Sequence, residues 1–386
     1  MKKVACLIPT YSSDEFGMCQ SLYELGGMVV MHDASGCNST YTTHDEPRWY
    51  DNNSMVFISA ISEMEAVMGD DDKLIEDICK SALELKPEFI AIVGAPIPYM
   101  IGTDFKAIAR IIENRLNIPV MGFFTNGMKN YTTGIEMALF EIANRFAVEN
   151  FPKYDRLTVN ICGATPLDLS MNITMDEIKG FLRENDMESG VSFAMGSSLL
   201  DIKMASKANV SLVVSYGGLK CAKLLKERFN IPYVIGVPLG GKMNDLLAEA
   251  IIKADSTNEN VVSYKEFSKE KREENEKLRQ VVIIGESVMS LSLATLMELS
   301  DNVKTKVLCP VDTCDEILRE NDIYTPWEDD IIDNIKGTDE IVADPLYEPI
   351  CPRGVKFIKR PHEAFSGRIF ENVFLINEIE KYKKDR

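Results

Sequence analysis

The sequence predicts an α/β protein built from three successive units, each a parallel sheet with crossover helices. Short β-branched runs alternate with amphipathic helical patterns along nearly all of the 386 residues. Strand-like runs pass into glycine-containing loops, as at Cys162-Gly163 and Gly285-Glu286, in the manner of Rossmann-like folds. Two breaks divide the chain. One is Asn150-Phe151-Pro152-Lys153-Tyr154, and the other is the Lys- and Glu-rich segment Ser263–Gln280, expected to be an exposed helix or linker. The expected domains are three Rossmann-like units at 1–150, 151–275 and 276–386.

The elements follow in order. The first unit offers strand runs at Val4–Ile8, Met28–His32, Met55–Ser59, Phe89–Val93 and Val120–Phe124. Its helices are Lys73–Leu85, Asp104–Leu116 and Gly134–Phe146. In Lys73–Leu85 the residues Leu74, Ile78, Ala82 and Leu85 recur at helical spacing, with Lys, Asp and Glu opposite. The second unit offers strands at Leu157–Cys162, Val191–Ala194, Ser211–Ser215 and Tyr233–Val237, with a helix at Ala222–Phe229. The third offers Val281–Gly285, Lys306–Leu308, Glu340–Ala343 and Lys356–Ile358.

Composition excludes several classes. A formal charge of −18 argues against binding nucleic acid, which needs a basic face. No apolar run approaches the ~20 residues that span a bilayer, so no membrane partner is expected. The opening run through Cys6 ends at Pro9 and is expected to be a strand, not a secretion signal, which makes the cytoplasm the expected location. Nine cysteines in a chain of this kind are not expected to form structural disulfides. No Cys-x-x-Cys pair is present, so any metal ligands are dispersed in sequence or come from two subunits.

The motifs are uneven. Gly236-Val237-Pro238-Leu239-Gly240-Gly241-Lys242 has phosphate-loop spacing, but Met243 stands where magnesium chemistry needs Ser or Thr, so it reads as a strand-to-helix turn. Gly285-Glu286-Ser287 lacks the further glycines of a dinucleotide loop. His32, His44 and His362 are too few for a histidine-rich metal centre, and no Gly-x-Ser-x-Gly elbow is present. More informative is an ordered series. His32-Asp33-Ala34-Ser35-Gly36-Cys37 follows a strand, and Ser59 to Glu63 follows the next. Met68-Gly69-Asp70 then opens a helix, and Val93-Gly94-Ala95-Pro96 leads into Ile101-Gly102-Thr103-Asp104. After Ile118-Pro119-Val120 and Tyr131-Thr132-Thr133-Gly134, the series closes with Arg360-Pro361-His362-Glu363-Ala364-Phe365-Ser366-Gly367-Arg368.

This order and spacing resemble nitrogenase component 1: the α and β subunits of the molybdenum-iron protein, their cofactor-assembly relatives and the dark-operative protochlorophyllide reductase subunits. The resemblance is densest in residues 28–135. It implies three Rossmann-like domains per subunit and pairing, as a homodimer or with a paralogue, around an iron–sulfur cluster. It also implies electron delivery by an ATP-hydrolysing iron protein to reduce a small-molecule substrate. On this resemblance Cys37, preceded by Gly36, is the metal ligand. The family's second cysteine falls nearest Ser54, and the third falls on Ala95. The chain thus keeps one of three ligand cysteines. An eight-iron cluster is not implied. A [4Fe-4S] cluster shared by two copies would be two thiolates short of the usual four. Ser54, Asp33, Cys19, an exogenous ligand or a partner's cysteine would have to complete it.

The resemblance also places His362 where the family's cofactor-anchoring histidine falls. Val214-Ser215-Tyr216 carries no matching cysteine, so the nitrogen-reducing cofactor is not implied. His362 and Arg368 are the candidate catalytic residues, lining a cavity between domains, and Arg368 suits an anionic group. Two functions follow as expectations: an oxygen-sensitive nitrogenase-like oxidoreductase, or a non-catalytic carrier for cluster or metallocofactor assembly. A third is a metal-free binding protein with degenerate ligand positions.

Overall fold

The computed structural model describes residues 6–8, 12–36, 38, 46–50, 52–169, 173–267, 278–301, 303–367 and 369. Three all-parallel sheets follow one another along the chain. The first contains β1 (Met28–His32), β2 (Met55–Ile58), β3 (Ile90–Gly94) and β4 (Val120–Phe123), in the order β2-β1-β3-β4. Its long helices are α1 (Asp14–Leu22), α2 (Asp72–Leu85), α3 (Phe105–Leu116) and α4 (Tyr131–Phe146). The second contains β5 (Thr158–Cys162), β6 (Glu188–Ser192), β7 (Val210–Val213), β8 (Tyr233–Ile235) and β9 (Val261–Val262), ordered β6-β5-β7-β8-β9. With it run α5 (Met175–Glu184), α6 (Leu219–Phe229) and α7 (Gly241–Thr257). The third contains β10 (Arg279–Ile284), β11 (Val303–Cys309), β12 (Ile323–Tyr324), β13 (Glu340–Ala343) and β14 (Lys356–Lys359), ordered β12-β11-β10-β13-β14, with α8 (Ser287–Ser300) against it.

The expected α/β architecture is therefore the one observed, and its chemistry is simple. The central strands β1, β3 and β5 are buried at every position, as parallel strands covered on both faces must be. The amphipathic pattern of α2 turns Leu74, Ile75, Ile78 and Ala82 inward. Asp104 caps α3 by accepting the backbone N–H groups of Lys106 and Ala107.

Two expectations change. Of the strand expected at Val4–Ile8, residues 4 and 5 lie outside the described residues, and Cys6–Ile8 form no strand. Their three N–H groups instead donate to the Glu328 carboxylate, at 2.6, 3.0 and 3.1 Å. A carboxylate that takes three consecutive donors competes with a ladder for them. The short strands β9 and β12 are an addition to the expected set, because two residues carry no period. Among the described residues no helix is long and apolar enough to cross a membrane.

The units are fastened by buried charge. Arg48 bonds Glu46 and Glu24, the Gln20 carbonyl and, in the second unit, the Ala194 carbonyl. Arg228 of α6 donates to the Asn144 and Ala147 carbonyls at the carboxyl end of α4, where a cation is favoured.

Candidate functional site

A parallel sheet presents its functional loops beyond the carboxyl ends of its strands, where strand order reverses. The reversals fall between β1 and β3, between β5 and β7, and between β10 and β13. The loops leaving them carry Asp33 to Gly36 and Ala95, then Gly163 to Asp168 and Ser215, then Glu286 and Asp344. Those of the second and third sheets meet. Tyr216 N–H donates to Glu286 Oε1 at 2.9 Å. A Cβ at Gly218 would lie 2.4 Å from the Cys162 carbonyl carbon, so the turn after β7 seats on the end of β5 only with glycine there.

The first unit joins them through Tyr131, the opening residue of α4. Its hydroxyl donates to Asp168 Oδ1 at 2.6 Å. His362 Nε2 lies 3.5 Å from the same oxygen. Asp344 holds the histidine loop: its carboxylate accepts the His362 N–H and the Ser366 hydroxyl, each at 2.7 Å. Phe365 stacks on the imidazole with ring centroids 4.6 Å apart. Asp168 is 1% exposed and His362 6%, yet Asp168 Oδ2 and both ring nitrogens have no hydrogen-bond partner. Buried polar groups are normally satisfied by protein or ordered water, and these three atoms have no protein partner.

The electrostatics follow from burial. Burial, then the Asp168 charge, pushes the Tyr131 phenol well up. Burial, then Asp168, raises Glu286 to about 7, although three backbone N–H groups donate to it. Burial lowers the Arg360 guanidinium to about 10, with Glu286 opposing. Burial likewise raises Asp344 against its three donors.

Gly36 lies at the exposed end of the loop after β1, and a Cβ built on it meets nothing within 4 Å. Asn38 donates to Asp33 Oδ2 at 3.0 Å, and Ile61 N–H donates to the Asp33 carbonyl. Beside them sit Asp14 and Glu15 in the first turn of α1. Burial, then the charges of Asp14 and Asp33, raises Glu15 to about 8. His32 meets the Ser59 hydroxyl through Nδ1 at 2.8 Å, and burial lowers it to about 4. Elsewhere on the first unit Met64, Val67, Met68 and Met100 are 71–80% exposed.

His362 and Gly36 are thus placed, while Cys37 and Arg368 lie outside the described residues. Ser54 is not brought to the Gly36 loop. β1 and β2 run parallel with Met28 opposite Met55, so Ser54 sits at the amino end of the sheet. That is about 15 Å of strand from the loop. Its hydroxyl donates to the Tyr23 carbonyl at 2.9 Å. Ala95 is fully buried. Among the described residues no group of three or more His, Cys, Asp or Glu side chains suits a metal ion. The described residues of one chain therefore do not make a complete ligand set for an iron–sulfur cluster. Of the further candidate site residues, Tyr131 and Glu286 stand in quoted motifs without a role there, and Asp168 and Asp344 stand in none. The available signal is an acid within a few residues of a strand's carboxyl end.

Three parallel sheets, the reversal-point loops of the second and third meeting each other and Tyr131 of the first, define an α/β protein with a candidate site at that meeting point. Within that class, the chain belongs to the nitrogenase component 1 type oxidoreductase family, whose profile matches residues 25–301. It is 23% identical over 263 residues to the nitrogenase molybdenum-iron protein beta chain of Methanothermobacter thermautotrophicus, covering 61% of this chain and 57% of that one. It is 25% identical over 189 residues to a subunit of the light-independent protochlorophyllide reductase of Heliobacterium modesticaldum, covering 47% and 35%. The chain thus spans less than two thirds of either relative's length. A solved structure of nitrogenase Cp1 at pH 5 aligns over 100% of this chain and 92% of that one, with a TM-score of 0.65 at 15% identity, and shares its fold.

Proposed function

We propose that this chain is a cytoplasmic subunit of a nitrogenase-like oxidoreductase that reduces a small molecule at the junction of its three units, 1–150, 151–275 and 276–386. It works as a homodimer, or as a heterodimer with a paralogue. Its cluster is of the [4Fe-4S] class, held at the subunit interface by Cys37 and ligands from a second chain. Electrons come from an iron-protein-like ATPase. The observation that carries this reading is the set of unpartnered buried atoms on Asp168 and His362, where loops of the second and third sheets meet the start of α4. The exposed Met64, Val67, Met68 and Met100 of the first unit support a partner on that unit, since large exposed apolar surface is rare on monomers. A cluster would supply electrons one at a time. The chain's own part is to exclude water from the junction, to fix His362 through Asp344, and to hold protons on Glu286 and Tyr131.

The buried alanine at position 95 favours a second reading, in which the chain carries a cluster or metallocofactor to another protein without turnover. One preparation decides. Purified without oxygen, the protein should hold about four irons and four sulfides per dimer. Cys37→Ala should lose them while its thermal unfolding is unchanged. Retained iron in the variant removes Cys37 as a ligand. No iron in either protein, even after reconstitution with a partner chain, removes the redox reading. Iron that passes to an acceptor protein with no electron transfer from the reductase selects the carrier.

A further inference from the structure

We infer that a cavity inside the first unit, separate from the junction, binds a small neutral ring compound that carries an oxygen acceptor, such as a ketone, with His32 as its hydrogen-bond donor. The cavity holds about 200 Å³ and lies between the first sheet and α2. Side chains alternate along a strand, so Met28, Val30 and His32 of β1 share one face, and the register sets Phe57 beside Val30 on that face. Leu74 and Ile78 of α2 close the other side. Protein interiors hold few voids larger than a water molecule, and an apolar cavity of ~150 Å³ takes up benzene. This one has room for a single ring with one small substituent. Phe57, which lines it from the edge strand β2, is 41% exposed, so an occupant would take apolar surface out of water.

One polar pair stands on the sheet side of the cavity. His32 and Ser59 both line it, with Nδ1 2.8 Å from the Ser59 hydroxyl. That hydroxyl oxygen also accepts the Asp33 N–H at 3.2 Å, and the Asp33 carbonyl lies 3.4 Å from it. The shorter contact takes the hydroxyl proton, so Ser59 donates to Nδ1 and the ring proton sits on Nε2. His32 is 4% exposed, burial keeps it neutral, and no group among the described residues bonds Nε2. The cavity therefore offers one N–H donor in an apolar setting, where an unpaired polar group is costly. An oxygen acceptor on the ligand satisfies it. Asp70 and Asp77 line the cavity from exposed positions, and Lys73 is already engaged by Glu65. The rim thus favours a neutral ligand over an anion.

The chain has three histidines, so histidine-selective NMR reads the site directly, with His32→Phe assigning the signal. Cyclohexanone should move the His32 resonance saturably. Benzene, of similar size with no acceptor, should bind about tenfold more weakly, the worth of one hydrogen bond. Benzoate should leave the resonance unmoved. In calorimetry, His32→Phe should lose the preference for cyclohexanone over benzene, and Ser81→Phe, which fills the cavity from α2, should bind neither. Urea unfolding shows whether each variant folds. If one does not, the three probes on the wild type decide alone. Benzene or benzoate binding as tightly as cyclohexanone overturns the inference, and so does silence with all three probes. Undiminished cyclohexanone binding to a folded Ser81→Phe overturns it as well.

Discussion

Gly134→Val is expected to leave the protein unfolded at room temperature, and Gly134→Ala to cost about 3 kcal/mol or more. In an exposed helix interior the alanine exchange would be a gain of up to about 1 kcal/mol, because glycine gives up more backbone entropy on folding. Here the sign reverses. A Cβ on Gly134 would lie 1.9 Å from the Asp14 carbonyl oxygen and 2.8 Å from the Met18 nitrogen. On the facing helix, a Cβ on Gly17 would lie 2.1 Å from the Tyr131 carbonyl oxygen. Helices α1 and α4 therefore cross with their backbones in contact, and no side-chain rotation relieves an added methyl. Separating them also breaks the bonds that Asp14 accepts from the Asn126 and Gly127 N–H groups at 3.1 and 2.8 Å. It would also displace Tyr131 from Asp168. Against a total stability of about 5–15 kcal/mol, one valine exceeds the margin. Gly180 in α5 is the control. The nearest atom to its Cβ is the Arg183 guanidinium at 3.9 Å, so Gly180→Ala should stabilise by about 0.5–1 kcal/mol. Urea unfolding of the two alanine variants checks both signs. A stabilised Gly134→Ala would mean that the helices do not touch.

What the sequence discloses and what it conceals divide along contact distance. Amphipathic period and β-branched runs are local, so α2, α3 and the central strands are legible within a residue or two. The ordered loop motifs are also local, and they carry the family resemblance. Cys6–Ile8 read as strand because their apolar character is local, whereas the carboxylate that takes their N–H groups lies about 320 residues away in the chain. Ser54 is the position nearest the family's second cysteine on the resemblance, and the resemblance does not reveal at which end of a parallel strand that position falls. Tyr131 stands in the quoted Tyr-Thr-Thr-Gly motif ahead of the expected helix, and Asp168 stands in no motif. Their bond exists only because the first and second units pack face to face.

Glu15 makes stability depend on pH in a direction opposite to that of most surface acids. Its carboxyl is raised from an ordinary 4.5 to about 8, by burial first and then by Asp14 and Asp33. The folded state therefore holds this proton more tightly than the unfolded chain does. The resulting stability is complete below pH 4.5, declines as pH rises, and is lost once pH passes about 8. The size is a few kcal/mol, since each pKa unit is worth about 1.4 kcal/mol. Glu286, raised to about 7, adds the same sign over a shorter range. Glu15→Gln keeps the volume and removes the titration. The variant should match the wild type within about 1 kcal/mol near pH 5 and exceed it by a few kcal/mol near pH 9, with a shallower slope left from Glu286 and the other shifted groups. Urea unfolding across that range checks it. A wild type that is the more stable protein near pH 9 would mean that Glu15 is ionised and paired when folded. A carboxyl retained where it destabilises the fold above neutrality, beside Asp33 on the loop that leads to Cys37, belongs with perturbed acids that accompany functional sites. It holds a proton, at the working pH of a cell, next to the loop expected to carry the cluster. Its removal should therefore leave iron content intact and alter only how activity responds to pH.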